Sequence, residues 1–516
     1  MVYLLPTNVR KQSYNYEKAY RQCLYAFLLH RKRNIRYNTT MKKAHLIGIC
    51  GKGMAGLAVL LKSQGYTISG SDEGFYDPMY SYLTLHGITF TKGYASQNIP
   101  ADAEMIIIGK HAKLTPESNE EVHTAFSGTI PVKSFPEIIN QLTAQTHNIV
   151  VAGSFGKSTC TALISWCLRS ASKDPSYFIG ATPYGFTESA HIGTSDIFVL
   201  EGDEYPSSNW DPTSKFLYYN PRTILLTSGE HDHINIFPTL ESYLAPFKKL
   251  VTIPKEDDCI IACGTGAHID EILTHAKNRI VTYSLSDTRT DWYAEDISYG
   301  ELSSFMIYHR GTPCIEITTT LLGSHNIENI VGCVALLLEK NLLTKEEIMH
   351  GVRTFKGVEG RLDKKESDSS VIVFEGFGSS HAKLTSLFDA LTLHYPSKNI
   401  VTVFEPHTFS WRNRGALSWY SHIFSPAHTV LVFDPPTHGA HTQENLSLEE
   451  IVEKISEHHP RVFPFRNKEE GLNLIQKHTG SDDIILLVTS GDLGGIIPEV
   501  SPLVEKLFPQ KNKTVL

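Results

Sequence analysis

One stretch restricts the possible fold more than any other: the apolar run His147-Asn148-Ile149-Val150-Val151 leads directly into Ala152-Gly153-Ser154-Phe155-Gly156-Lys157-Ser158-Thr159. An apolar strand followed by glycines, a lysine and two hydroxyl residues reads as strand, tight turn and helix start. Such a turn aims backbone N–H groups and the helix dipole at an anion. Lys157 would add positive charge at the β- and γ-phosphates of a nucleotide, and Ser158 a hydroxyl for Mg²⁺. The strict GxxxxGK[ST] spacing needs glycine at 151, where this chain has Val151, so the loop is a shorter variant. Taken alone it also fits an ordinary strand-to-helix turn. The candidate nucleotide-binding residues here are Gly153, Ser154, Phe155, Gly156, Lys157, Ser158 and Thr159.

The same device recurs, which makes the chain modular. At 516 residues it is too long for one core, so two to four domains are expected. Residues 44 to 50 read as a buried strand, followed by a glycine turn and a helix over Met54 to Lys62. Further strands are expected at Thr67 to Ser69, Ile88 to Phe90 and Met105 to Ile108, with a helix at Met79 to Leu85. A second unit carries strands at 147 to 151, Ile197 to Leu200 and Thr223 to Leu226, and a helix at Ile327 to Glu339. A third carries strands at Val371 to Phe374, Ile400 to Phe404, Val430 to Phe433 and Ile484 to Val488. Alternating strands and helices imply doubly wound parallel sheets. The expected fold class is α/β, as three consecutive domains: 41–145, Rossmann-like; 146–356, the nucleotide-loop domain; and 357–516, Rossmann-like.

Residues 1–40 stand apart, with eight Lys or Arg against one Glu, whereas the remainder carries 39 basic and 54 acidic residues. They are read as a basic extension outside the fold. The net charge of −8 and the lack of a basic block in the body of the chain argue against nucleic acid. No apolar run reaches the ~20 residues that span a bilayer. Eight scattered cysteines without CxxC pairs fit reduced thiols in a cytoplasmic protein. A monomer is expected.

Two acidic clusters follow strands of the second unit: Glu201-Gly202-Asp203-Glu204 and Glu230-His231-Asp232-His233. Carboxylates at the C-terminal edge of a parallel sheet lie where ligands gather, and their oxygens suit Mg²⁺. Near the start, Gly48-Ile49-Cys50-Gly51-Lys52-Gly53-Met54-Ala55-Gly56, with Asp72 beyond it, forms another strand-glycine-helix turn. That turn fits either a dinucleotide or a sugar-nucleotide diphosphate.

Together these residues resemble the Mur ligases, which build the peptide stem of peptidoglycan on a UDP-N-acetylmuramate carrier. The resemblance spans about residues 44–500. Residues 48–58 are similar to the family's UDP-binding turn, and Ala152 to Thr159 to its ATP loop, GTxGKTT. Gly323-Ser324-His325-Asn326-Ile327-Glu328-Asn329 is similar to the HNxxN segment that faces adenine, and Gly360-Arg361-Leu362 to the segment with an arginine on the phosphates. Ser71 to Met79, Ser189 to Gly193, Asp203-Glu204-Tyr205 and Ser214-Lys215-Phe216 resemble the subgroup that joins the tripeptide L-alanyl-γ-D-glutamyl-meso-diaminopimelate to UDP-N-acetylmuramate. A related subgroup adds L-alanine.

The resemblance implies an ATP-dependent, Mg²⁺-requiring ligase working through an acyl phosphate. It implies catalytic roles for Lys157, Glu201, His233 and Arg361, with Ser158, Glu201 and His233 as metal ligands. ATP would also meet Asn326 and Asn329. The UDP substrate and the peptide would meet Gly51, Lys52, Gly53, Met54, Asp72, His191, His381, His407, Arg412 and Arg414. One segment departs from the family: against its signature [YF]DD[FY]AHHP the chain reads Phe374-Glu375-Gly376-Phe377-Gly378-Ser379-Ser380-His381. Gly376 stands where the ribose-contacting Asp belongs, and Ser379 replaces the first His. That departure sets two readings beside the ligase: a nucleotide-binding homologue that has lost catalysis and, on the 48–56 turn alone, a dehydrogenase.

Overall fold

The structure, a computed structural model, describes residues 42–234, 236–436 and 445–510. The expected basic extension at 1–40 lies outside the described residues. Three sheets follow one another along the chain, and their central parallel strands are short apolar runs buried on both faces, as parallel strands between helices must be.

The first sheet contains β1 (Lys43–Ile47), β2 (Thr67–Asp72), β3 (Thr91–Lys92), β4 (Met105–Ile108) and β5 (Val132–Ser134) in the order β3-β2-β1-β4-β5, with every pair parallel. The third strand lies just beyond the expected Ile88 to Phe90: Ile88 is buried in the core instead, and only Thr91 and Lys92 pair with Ser71 and Asp72. Helix α1 (Lys52–Ser63) follows β1 and presents Met54 to Leu61 to the core.

The second sheet is the largest. It comprises β6 (His147–Ala152), β7 (Ser176–Phe178), β8 (Ala190–His191), β9 (Ile197–Glu201), β10 (Thr223–Leu226), β11 (Cys259–Cys263), β12 (Arg279–Tyr283), β13 (Trp292–Ser298), β14 (Ser303–His309) and β15 (Thr312–Thr319). Their order is β15-β14-β13-β12-β11-β10-β6-β9-β7-β8. The sheet centre is parallel, but β13, β14 and β15 form an antiparallel meander at one edge that the α/β expectation omitted. Helices α2 (Lys157–Ser170) and α3 (Ser324–Glu339) pack together over this sheet in one core.

The third sheet holds β16 (Arg361–Lys364), β17 (Ile372–Gly376), β18 (Ile400–Phe404), β19 (Thr429–Phe433), β20 (Val462–Phe465) and β21 (Ile484–Val488) in the order β16-β17-β21-β18-β19-β20. Only β16 is antiparallel to its neighbour. Helix α4 (His381–His394) follows β17. Among the described residues no helix is long and apolar enough to cross a membrane.

Candidate active site at the junction of three domains

A cavity of about 1190 Å³ is lined by all three units. The first contributes Gly51, Lys52, Gly53, Met54 and Asp72, the second Lys157, Glu201, Asp203, Glu204, Lys215 and His233, and the third Gly360, Glu375, Phe377 and Gly491. This convergence follows from topology. In each parallel sheet the turn after a strand opens at the carboxyl end, and here those ends face a common space.

At the first wall, Gly51 caps α1 without a side-chain acceptor, so the helix's first N–H groups face the cavity. Asp72 anchors this turn, accepting from the Cys50 amide at 2.7 Å and from the Glu73 amide at 2.8 Å. Its carboxylate therefore shapes the glycine turn as well as lining the cavity.

At the centre, the loop needs its glycines. Gly153 has φ +134°, and a Cβ there would strike Thr227 and come within 2.8 Å of the Ser228 amide. Gly156 has φ +76° and lies against the Asn329 amide group. Asn329 donates to Asn326 at 3.4 Å, and Asn326 to the Leu322 carbonyl at 2.7 Å. Both asparagines are buried beneath the loop and do not line the cavity. Ser154 also supports the loop, bonding to the Glu230 carbonyl at 2.5 Å and to the Tyr243 hydroxyl at 2.8 Å. Thr159 lies half-buried in the first turn of α2.

Lys157 Nζ donates to the Gly153 carbonyl at 2.6 Å and lies 3.0 Å from Glu204 Oε2. Burial opposes its charge, but Glu204 and Glu201 outweigh that and hold its pKa above the ordinary lysine value. Ser158 Oγ donates to Glu201 Oε1 at 2.9 Å, and the Gly180 amide to Glu201 Oε2 at 2.7 Å. Burial nevertheless raises the Glu201 pKa, so this carboxylate lacks full compensation by its neighbours. His233 has left-handed backbone (φ +56°), a conformation that costs energy and concentrates at functional sites. Its Nε2 is 3.2 Å from Glu204 Oε1, and its Nδ1 is hydrogen-bonded to the Tyr205 hydroxyl at 2.9 Å. Ser158 and Glu201 thus stand together, while His233 is tied to Glu204. Among the described residues no cluster of three or more His, Cys, Asp or Glu side chains is placed to hold a metal. The paired hydroxyl and carboxylate oxygens do fit Mg²⁺, which keeps several waters and takes phosphate oxygens for the rest.

Three residues of this centre were not singled out from sequence. Glu204 bridges Lys157 and His233, and Asp203 pairs with Lys215 at 2.6 Å. All lie in segments whose pattern was noticed, but only Glu201 stood at a strand end. Glu204 lies just beyond β9, where the Gly202 amide continues the pairing with β6 by bonding to the Val151 carbonyl at 2.8 Å, so the residues after it stand beside the loop that follows β6.

From the third unit, the Arg361 guanidinium lies 4.3 Å from the Phe377 ring centroid and acts electrostatically on Glu201. Gly376 is buried at the end of β17, where a Cβ would sit 2.5 Å from Leu387 Cδ1. Position 376 is therefore apolar interior, where a side chain would meet Leu387 on the neighbouring helix. Glu375 does line the cavity, paired with Lys365 at 2.5 Å. His381 stacks edge-on to Trp419, and His407 is 3.1 Å from Glu405, beside cavity-lining Gly491. Buried Arg412 donates to the Pro436 carbonyl at 2.7 Å, and Arg414 pairs with Glu450 at 2.8 Å. His191 faces Asp174 at 3.2 Å. None of His191, His381, His407, Arg412 and Arg414 lines the cavity.

Comparison with known proteins agrees with this geometry. The model of the Mur ligase family catalytic domain matches residues 43–147, and that of the Mur ligase middle domain matches 151–337, together more than half the chain. The UDP-N-acetylmuramate–L-alanine ligase of Agathobacter rectalis is 26% identical over 452 residues, covering 87% of this chain and 95% of the relative. The UDP-N-acetylmuramate–L-alanyl-γ-D-glutamyl-meso-2,6-diaminoheptandioate ligase of Haemophilus influenzae is 25% identical over 461 residues, covering 88% and 98%. Among solved structures, the UDP-N-acetylmuramate–alanine ligase of Thermotoga maritima superposes with TM-score 0.73 at 19% identity, covering 90% of this chain and 99% of that one. At that identity the likeness speaks for the fold alone. The chain belongs to the Mur ligase family, whose members are ATP-dependent amide-bond-forming ligases.

Proposed function

We propose that this protein joins UDP-N-acetylmuramate to the amine of a short peptide, the tripeptide L-alanyl-γ-D-glutamyl-meso-diaminopimelate, with consumption of ATP in the cytoplasm. A cavity reached by all three units carries this reading, because a glycine-helix turn, a lysine loop and a third wall open on one space. The UDP pyrophosphate would rest on Gly51, Lys52 and Gly53 at the start of α1, and the ATP phosphates on the loop 153–159. The amino substrate would enter from the third unit.

The muramyl carboxylate would attack the γ-phosphorus of ATP, forming an acyl phosphate and releasing ADP. The amine would then attack the acyl carbon, expelling phosphate and forming the amide. The protein supplies placement and charge neutralisation, which dominate phosphoryl transfer. Lys157 is kept cationic by Glu204, and Arg361 adds a second positive charge. Ser158 and Glu201 would hold Mg²⁺, which would offset phosphate charge. His233 is fixed by Glu204 and Tyr205 at the edge of this group.

The tripeptide reading rests on the segments 71–79, 189–193, 203–205 and 214–216. L-alanine is the second reading, favoured by relatives of that specificity at 26–27% identity. Phosphate release with UDP-N-acetylmuramate and each amine in turn, with product mass, separates them. A failure to release phosphate with either amine would leave the nucleotide-binding homologue as the better reading.

A further inference from the structure

Helix α4 belongs to the third unit but is fastened to the second at both ends. At its C-terminus, His394 Nε2 accepts from the Gly323 amide at 2.9 Å, so Nδ1 carries the proton and donates to the Gly300 carbonyl at 2.8 Å. Gly323 caps α3, the helix whose Asn329 supports Gly156 of the ATP loop. Within the first turn of α4, Lys383 Nζ crosses to Asp232 Oδ2 at 3.2 Å and is also 3.0 Å from Ser379 Oγ. The same ammonium stands 5.7 Å from the ring centroid of Phe155, within the ATP loop, and 5.9 Å from that of Phe377, which carries Arg361 on its face.

A lysine in the first turn of a helix opposes the helix dipole, so local helix energetics do not explain it. Its partner does: Asp232 directly precedes His233 and is only 12% exposed, so the pair is largely removed from water. Asp232 also accepts from the His233 amide at 2.8 Å, which links Lys383 to the strained His233 backbone.

We propose that Lys383 is a positioning residue for the ligase reaction, docking the amine-side domain onto the second unit through Asp232, beside the ATP loop, while His394 serves as the pivot at the other end of α4. The proposal rests on the ligase reading. In it, α4 brings the third unit's wall into register with Lys157 and His233 when substrates fill the cavity. Burial lowers the Lys383 pKa against the pull of Asp232, and Lys157 and Arg361 add to that lowering, so the ammonium is held in a crowded cationic environment.

The test compares wild type, Lys383→Met and Lys383→Arg in full-length protein. Affinity for a fluorescent ADP derivative is measured without turnover, steady-state constants by phosphate release, and domain arrangement by small-angle scattering with nucleotide present. Loss of one partner from a largely buried pair is expected to lower kcat ~30- to 100-fold and raise the KM for the amino substrate. Nucleotide affinity should change less than ~3-fold, and Lys383→Met should scatter as a more open molecule. Arginine, which keeps the charge, should recover most of the rate. Unchanged kcat and unchanged scattering in Lys383→Met would overturn the proposal, as would a nucleotide affinity that falls as much as kcat, which indicates direct phosphate contact. If wild type itself releases no phosphate with any amine, the ligase reading fails. The scattering comparison then still decides whether Lys383 docks the domain.

Discussion

Substituting Gly376 by Asp separates a motif-based expectation from a packing-based one. Judged by the family signature, the aspartate would restore a nucleotide contact and lower the KM for ATP. The structure predicts damage instead. A Cβ at 376 meets Leu387 Cδ1 at 2.5 Å and Cδ2 at 3.0 Å, and Leu387 is itself buried on α4. Forcing that leucine from its place costs about 1–3 kcal/mol. The carboxyl group would enter an apolar seam and lose hydration, adding at least ~1 kcal/mol. About 3 kcal/mol in total is expected. Urea unfolding followed by tryptophan fluorescence suits the assay, since Trp411 and Trp419 pack together in the third unit. With a slope of about 2 kcal/mol per molar, the transition of that unit should move down by about 1.5 M. Gly376→Ala should give a smaller shift of the same sign. A midpoint within about 0.3 M of wild type, together with a lower KM for ATP, would refute the packing argument and reinstate the ribose contact.

Three further outcomes are expected. Lys157→Ala should lower kcat by on the order of 10² or more while ATP affinity falls less, since in the proposed reaction the lysine would face phosphates whose charge redistributes during transfer; intact turnover would reduce the loop to a structural turn. At Gly53 a Cβ has Phe135 no nearer than 3.6 Å, so Gly53→Val should fold normally yet weaken UDP-N-acetylmuramate binding ~10-fold or more, and calorimetry showing unchanged affinity would remove the first unit from substrate binding. Burial, helped by neighbouring His394, pushes the His325 pKa down to about 4, so the unfolded chain binds the proton first. This contribution is full above about pH 6.5 and is lost as pH falls toward 4, amounting to about 2 kcal/mol by pH 4.5. Unfolding of wild type and His325→Asn at pH 7.5 and 4.5 should show the variant with the flatter dependence; equal slopes would reject the assignment.

The frame of the molecule was legible because its strands are uninterrupted apolar runs. Ile484 to Val488 and Thr223 to Leu226 are bounded as expected, and both are fully buried. The meander β13 to β15 was missed because one short polar turn separates each pair of strands and no helix intervenes. Its signal was present in the alternation of Phe305 and Ile307, and of Ile315 and Ile317, all buried. At the site, residues fixed by local backbone were readable: Gly153, Gly156, Lys157 and Ser158 follow from strand-turn-helix geometry alone. Glu204 and Lys383 were not. Glu204 becomes central only when β9 pairs with β6 and so sets it beside Lys157, and Lys383 only when α4 meets a loop 151 residues earlier. His191, Arg412 and Arg414, which the resemblance singled out, are engaged in this structure with Asp174, the Pro436 carbonyl and Glu450.

In the proposed reaction the muramyl carboxylate takes the γ-phosphoryl group of ATP before the amine arrives. Supplying UDP-N-acetylmuramate labelled with oxygen-18 in that carboxylate, together with ATP and the tripeptide, tests this order of events by mass spectrometry of the phosphate released. The acyl-phosphate route transfers one labelled oxygen to each phosphate formed, because the carboxylate oxygen that attacks phosphorus leaves with it. Amide product accompanied by unlabelled phosphate would contradict the acyl-phosphate route.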